Sequence, residues 1–217
     1  MLREVDQWQH LPAWFRSRSP DYLLDNAIPW ITYDAAAYLR AHLQPGIRVF
    51  EYGSGASTLF WARYAIQCVS IEHDAEWYAL VKTRLQHTDA LDYRLVLPDP
   101  SPPDQAASLD RADPRNYLTD WIGFEQATFR NYAQQIDSFP DYYFDVVVVD
   151  GQARPACLAH SYSKVKVAGM LILDNADVPL YLEQTQHLLA DFKRLSFAGI
   201  APIQGIPSRT DIYIRQK

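Results

Sequence analysis

Four short apolar runs, each followed closely by a carboxylate, constrain this chain more than any other feature. They are Ile47-Arg48-Val49-Phe50, Cys68-Val69-Ser70-Ile71, Val146-Val147-Val148-Val149 and Met170-Leu171-Ile172-Leu173. Large and β-branched side chains follow one another in them with little polar alternation. That pattern suits strands of a parallel sheet covered on both faces, where neither side meets water. Tyr93-Arg94-Leu95-Val96-Leu97 reads as a further strand, third in chain order.

Helical patterns lie between the runs, over residues 33–43, 57–64, 75–85, 121–136, 157–164 and 180–192. The first closes before Pro45-Gly46, and Asp74 is placed to cap the third. Strand–helix alternation implies right-handed βαβ units with helices on both faces of the sheet. The tail differs. Residues 195–200 and 212–214 flank a turn at Pro207-Ser208-Arg209, and so short a connection joins only antiparallel strands. The expected fold class is α/β, a doubly wound and mostly parallel sheet with one reversed strand near an edge.

The chain has 217 residues, 48% of them apolar, enough for one sizeable core. Residues 1–30, with Trp8, Trp14, Phe15, Tyr22 and Trp30, stand outside the alternation and read as an N-terminal arm packed on a domain spanning 31–217. Residues 98–116 are rich in Pro and Asp and read as a loop. The net charge of −6 and the lack of a basic stripe argue against nucleic acid as the main partner. Cys68 and Cys157 form no CxxC pair, which excludes a disulfide scaffold and a cysteine zinc site. There is no apolar leader and no stretch of 18 apolar residues, so the expectation is a soluble cytoplasmic protein with no membrane partner. Oligomeric state is not legible.

Ligands of open α/β sheets bind outside the carboxyl ends of the strands. The first run is followed by Glu51-Tyr52-Gly53-Ser54-Gly55-Ala56-Ser57-Thr58, and the second by Glu72-His73-Asp74. The valine run leads into Asp150-Gly151-Gln152, and the Met170 run into Asp174-Asn175-Ala176-Asp177. Four carboxylates are therefore expected on one rim. Gly53 and Gly55 permit a sharp turn and a close approach of backbone to ligand. A dinucleotide fingerprint would carry a third glycine where this chain has Thr58. The acid Glu51 before the turn suits a cationic or hydroxyl-bearing ligand better than a pyrophosphate. Glu72 is placed to accept from two ribose hydroxyls.

VFEYGSGAST resembles the first motif of the class I SAM-dependent methyltransferases, where SAM is S-adenosylmethionine. VSIEHDAEW resembles their second, and FDVVVVDGQ and AGMLILDNAD their fourth- and fifth-strand motifs. The resemblance implies a seven-stranded Rossmann-like sheet whose reversed strand lies near the C-terminus. It implies that Glu51, Gly53 and Gly55 line the methionine part of SAM, with Ser57 and Thr58 at the helix start beneath. Glu72 would hold the ribose, His73 would sit near adenosine, and Pro29–Tyr33 would close over the site. A narrower likeness to metal-dependent O-methyltransferases of the catechol type rests on Asp150, Asp174 and Asn175. It implies an Mg²⁺ ion on those three residues, with Asp150 in the catalytic role. That family's lysine base falls here at Ala153, beside Arg154. On the other reading, Asp150 orients SAM or substrate while Asp174 and Asn175 cap a loop. The expected activity is methyl transfer to a small molecule, at oxygen. The alternatives are a nicotinamide-dependent oxidoreductase on a similar sheet and a SAM- or nucleoside-binding protein without catalysis. His160 reads as structural.

Overall fold

A computed structural model describes residues 4–85, 89–102 and 109–217. In chain order the strands are β1 (Ile47–Tyr52), β2 (Ala65–Glu72), β3 (Leu91–Leu95), the two-residue β4 (Asp99–Pro100) and β5 (Ala127–Thr128), β6 (Phe144–Val149), β7 (Val165–Leu173), β8 (Phe192–Gly199) and β9 (Ser208–Arg215). β4 and β5 pair only with each other, and the remaining seven form one sheet in the order β3-β2-β1-β6-β7-β9-β8. β9 runs antiparallel to both its neighbours, and every other pairing in the sheet is parallel. The expected class therefore holds: a mixed seven-stranded sheet with a single reversed strand, second from the edge. Chain order reverses between β1 and β6, which makes a crevice at their carboxyl ends.

Alternation along the strands divides the core in two. Phe50, Tyr52, Val69, Val147, Val149 and Leu171 face one side, against Tyr132, Ile136 and the helix Arg154–Ser161. Val49, Cys68, Val146, Val148 and Ile172 face the other, against the helix Tyr33–His42 and Phe60 and Trp61 of the helix Ala56–Trp61. In the arm, Ser19 caps the helix Pro20–Asn26 by accepting from the Tyr22 N–H, and Leu23 and Leu24 pack with Ala56 and Val81. The Trp14 indole donates to the Gln204 carbonyl, which pins the arm across the loop between β8 and β9. Residues 1–3 of the arm lie outside the described residues.

Two expected helices are replaced. Over 121–136, Gly123 has φ +99°, a left-handed conformation that ends a helix. Residues 127–128 become β5, and helix is confined to Arg130–Ala133 and a 3₁₀ turn, Gln134–Ser138. Over 180–192 there is one turn of α-helix, Leu180–Glu183, then a 3₁₀ turn, Gln186–Leu189, and Phe192 already starts β8. Of the expected loop 98–116, residues 103–108 lie outside the described residues, and 99–100 form β4. No helix among the described residues is long and apolar enough to cross a membrane.

Both outer strands carry charge. Asp92 and Arg94 pair on β3, while Lys193 and Arg194 stand exposed on β8. The Gln7 side chain accepts from the Ile200 N–H just past the end of β8.

Candidate functional site

The crevice at the carboxyl ends of β1, β2, β6 and β7 is a cleft of about 500 Å³. Gly53, Ser54, Gly55 and Ser57 line it from the turn after β1, Glu72, His73 and Asp74 from the end of β2, and Asp150, Gly151 and Gln152 from the turn after β6. Asp174 and Asn175 close the β7 side. Leu23, Leu24 and Trp30 of the arm, with Trp121 and Phe124, add apolar walls. Of the expected site residues, Gly53, Gly55, Ser57, Glu72, His73, Asp150, Asp174 and Asn175 are thus brought together.

Glu51 and Thr58 depart from expectation. β1 continues through Tyr52, so Glu51 lies within the strand, opposite Ser70 and Val148, and its side chain falls on the face under the helix Ala56–Trp61. It is fully buried and accepts from Thr58 Oγ1, Ser70 Oγ and Trp61 Nε1 at 2.5, 2.6 and 3.1 Å. Thr58 is equally buried and also accepts from the Gly55 N–H, tying the turn to the helix. Neither residue lines the cleft; both lock the floor on which the glycine turn rests. Burial pushes the Glu51 carboxyl from 4.5 up to about 7, although hydrogen bonds from Ser57, Ser70, Thr58 and Trp61 favour the charged form. An acid whose pKa rises on folding binds its proton more tightly in the folded state, so stability falls as pH rises through the window. Melting temperature should therefore decline between pH about 4.5 and 7 with a component that Glu51→Gln removes. Parallel slopes of Tm against pH for the two proteins would refute this account.

Gly53 has φ +86°, and a Cβ there would stand 2.6 Å from the Asp150 carbonyl oxygen and 2.8 Å from the Gly151 Cα. The β1 and β6 turns meet backbone to backbone at this point. Gly55 is not so constrained: its backbone is extended, and a Cβ would meet only the Trp77 ring, at 3.6 Å. That ring donates through Nε1 to the Ser54 carbonyl and forms a wall beside the turn.

Glu72 is nearly inaccessible, and its oxygens are well supplied. Oε2 accepts from the Ser54 N–H and hydroxyl at 3.1 and 2.8 Å. Oε1 accepts from the His73 and Asp74 N–H groups at 2.7 and 2.9 Å. Burial opposes the charged form, but these bonds and the His73 ring outweigh it and hold the carboxyl below its usual range. His73 Nδ1 lies 2.8 Å from Glu72 Oε1, Gln152 Nε2 stands 3.3 Å from its Nε2, and Phe124, Phe129 and Tyr132 surround its ring edge-on.

Across the cleft, the groups matched to a metal site are engaged otherwise. The Arg154 guanidinium donates through Nε to the Gly151 carbonyl, through Nη1 to the Asp174 carbonyl and Asn175 Oδ1, and through Nη2 to Asp150 Oδ1 at 3.2 Å. Its face lies 5.0 Å from the centre of the Tyr181 ring, whose hydroxyl donates to the Asp120 carboxylate. Asp174 Oδ1 accepts from Thr210 Oγ1, which in turn accepts from the Thr32 N–H. The three residues therefore meet around an arginine, and this arrangement does not fit the expected Mg²⁺ ion. Among the described residues no group of three or more His, Cys, Asp or Glu is placed to hold a metal.

Burial and the nearby Asp174 charge push the Asp150 carboxyl well above its ordinary value, while Arg154 pulls it down. Asp174 rises to about 6, again chiefly through burial, against Arg154 and Thr210. About a fifth of the Asp150 side chain stays open to the cleft. Its Oδ2 makes no hydrogen bond to the described residues. The arrangement offers a carboxylate with raised proton affinity, one oxygen fixed and the other free. His160 lies against Asp137 and Tyr117 and does not line the cleft.

Residues that sequence reasoning did not single out complete the site: Ser54, Trp77, Gln152 and Arg154. Ser54 is signalled only by standing between two glycines, and Arg154 by standing beside Ala153, where the catechol-type enzymes carry their lysine; the helix expected from residue 157 starts at Arg154.

No protein-family model and no curated protein matches the sequence. Solved structures do share the fold. An O-methyltransferase from Bacillus cereus, solved in complex with SAH, superposes with a TM-score of 0.60 at 13% identity, over 98% of this chain and 97% of that one. A candidate O-methyltransferase from Klebsiella pneumoniae gives 0.59 at 13% identity, over the same shares. At such identity the likeness establishes the fold, the seven-stranded mixed sheet of these methyltransferases.

Proposed function

We propose that this chain is a SAM-dependent methyltransferase acting on a small-molecule acceptor at oxygen. The observation that carries the reading is the cleft itself. One half presents a glycine turn and a ribose-type acid, and the other presents a half-free carboxylate. In this arrangement the methionine part of SAM lies on Gly53, Ser54, Gly55 and Ser57. Its ribose hydroxyls reach Glu72, sharing or displacing Ser54. Its base lies against His73, Gln152 and Phe124. The structure shared with a protein crystallised with SAH supports this choice over a nicotinamide cofactor.

The transfer is a direct displacement. An acceptor oxygen attacks the methyl carbon, the C–S bond breaks, and its electron pair neutralises the sulfonium to leave a thioether. The acceptor's proton passes to Asp150 Oδ2. The protein's main task is to hold oxygen, carbon and sulfur in line, and well-oriented reactions gain about 7–11 kcal/mol in this way. Trp30 and Trp121 line the cleft and help to exclude water. The acidic chain favours a small acceptor over nucleic acid.

The test is calorimetric titration with SAM, SAH and NAD, followed by mass spectrometry of a panel of hydroxylated acceptors incubated with SAM. Binding of SAM and SAH but not NAD, with a mass gain of one methylene on an acceptor hydroxyl, is the expected result. Tight binding of NAD alone would replace the proposal with the oxidoreductase reading. Glu72→Ala should weaken SAM by at least one to two orders of magnitude, since even one hydrogen bond to a charged partner contributes about 1.5–3 kcal/mol. An unchanged dissociation constant would remove Glu72 from the ribose.

A further inference from the structure

We infer that Arg154 is the resident cation of the β6–β7 rim: its guanidinium takes the place of a divalent ion among Asp150, Asp174 and Asn175, and the rim admits metal only when Arg154 is removed. The argument rests on coordination. Mg²⁺ requires oxygens at about 2.0–2.1 Å in near-octahedral order. Here Asp150 Oδ1, Asn175 Oδ1 and the backbone carbonyls of Asp174 and Gly151 are spread around a planar fork with five N–H donors, while the Asp174 carboxylate accepts from Thr210. Asn175 Oδ1 stands 2.9 Å from Nη1, Asp150 Oδ1 3.2 Å from Nη2, and the Gly151 carbonyl 3.0 Å from Nε. A metal ion would have to displace this fork and then sit beside a second positive charge.

Three further features show a built arrangement. The arginine is almost wholly buried, with 5% of its side chain exposed. A buried guanidinium is retained only where its donors are met and its charge is balanced. The Asp150 and Asp174 carboxylates supply that balance, and their charges help hold the Arg154 pKa above its ordinary value despite burial. Tyr181 covers the face of the fork, and Tyr181 in turn is held by Asp120, next to Trp121 of the cleft wall. The backbone also conforms. Ala153 and Asn175, which bring helix and rim together, both hold left-handed φ values of 44° and 48°. Such conformations persist in non-glycine residues where the surroundings enforce them.

In the proposed reaction Arg154 is a positioning residue. It fixes Asp150 Oδ1 and so leaves Oδ2 turned to the acceptor. This consequence rests on the methyl-transfer reading, whereas the occupancy claim does not.

The experiment is a Mn²⁺ titration of the full chain with SAH present, following the paramagnetic resonance of the free ion. The unsubstituted protein and Arg154→Lys, which keeps a cation in place, should leave the free-ion signal unchanged. Arg154→Ala should gain one saturable site per chain, lost again when Asp150→Asn is added. Stoichiometric Mn²⁺ uptake by the unsubstituted protein that Asp150→Asn abolishes would overturn the inference. So would a folded Arg154→Ala protein, judged by circular dichroism, that binds no Mn²⁺. If Arg154→Ala does not fold, Arg154→Met, which keeps the stem, takes its place, and the unsubstituted protein decides on its own arm. Methyl transfer, once an acceptor is found, should be unaffected by chelator. The Mn²⁺ titrations need no acceptor, so failure of the methyl-transfer reading and failure of this one are read separately.

Discussion

Replacing Asp150 by Asn should lower kcat by about 10²- to 10⁴-fold, the range for loss of a positioned proton acceptor, and leave SAM affinity little changed. The substitution keeps the shape of the side chain and an oxygen for Arg154 Nη2, so the clamp persists while the proton acceptor is lost. The pH profile carries the distinguishing information. Burial and Asp174 hold the Asp150 carboxyl above its ordinary range, so its basic form accumulates only as pH rises. The rate with SAM saturating should therefore climb with pH through the Asp150 titration and level off above it, and Asp150→Asn should flatten that climb. An unaltered kcat in Asp150→Asn, measured by SAH release, would assign the proton transfer elsewhere.

The second large effect concerns Gly53. Gly53→Ala should cost at least about 1–3 kcal/mol from the left-handed φ alone. The added methyl would also drive the β1 turn from the 150–151 backbone, which stands 2.6–2.8 Å from the new carbon. Tm should drop by several degrees and SAM binding should be lost with it, because the two turns that meet there form both halves of the cleft. Gly55→Ala is the control for stability, since its methyl enters ordinary contact with Trp77. Equal Tm and equal SAM affinity in Gly53→Ala would show that the turns can part without consequence. A bulky side chain at Gly53 is thus a test of the fold as much as of the ligand site.

How much was legible follows from which forces write a regular pattern. Strands buried on both faces need unbroken apolar runs, so the β1, β2, β6 and β7 cores can be read directly; the reversed strand can be read too, although Ser208 and Arg209, expected in its turn, open β9 and the connection runs over 200–207. The helix expected over 121–136 contains Phe124, Phe129 and Tyr132. These aromatic residues reach the core cluster from an irregular chain that Gly123 and β5 interrupt. A count of apolar residues does not reveal that difference. Glu51 was misplaced for a smaller reason. β1 runs two residues past the expected Phe50, through Tyr52, so Glu51 shares the face of Val49 and lies on the underside, because faces alternate. Gly53, Glu72 and Asp150 were legible because they follow strand ends. The clamp on Asp150 was not, because a carboxylate read without its neighbours looks the same whether it awaits a metal or already holds an arginine.

The charged outer strands bear on how copies of this protein can meet. Exposed strand borders act as templates for intermolecular pairing, and charges along them oppose it. With Asp92 and Arg94 along one border and Lys193 and Arg194 along the other, and with Gln7 hydrogen-bonded just past the second, neither invites a neighbour to continue the ladder into a fibre. Contacts between copies through helices and loops are not opposed in this way.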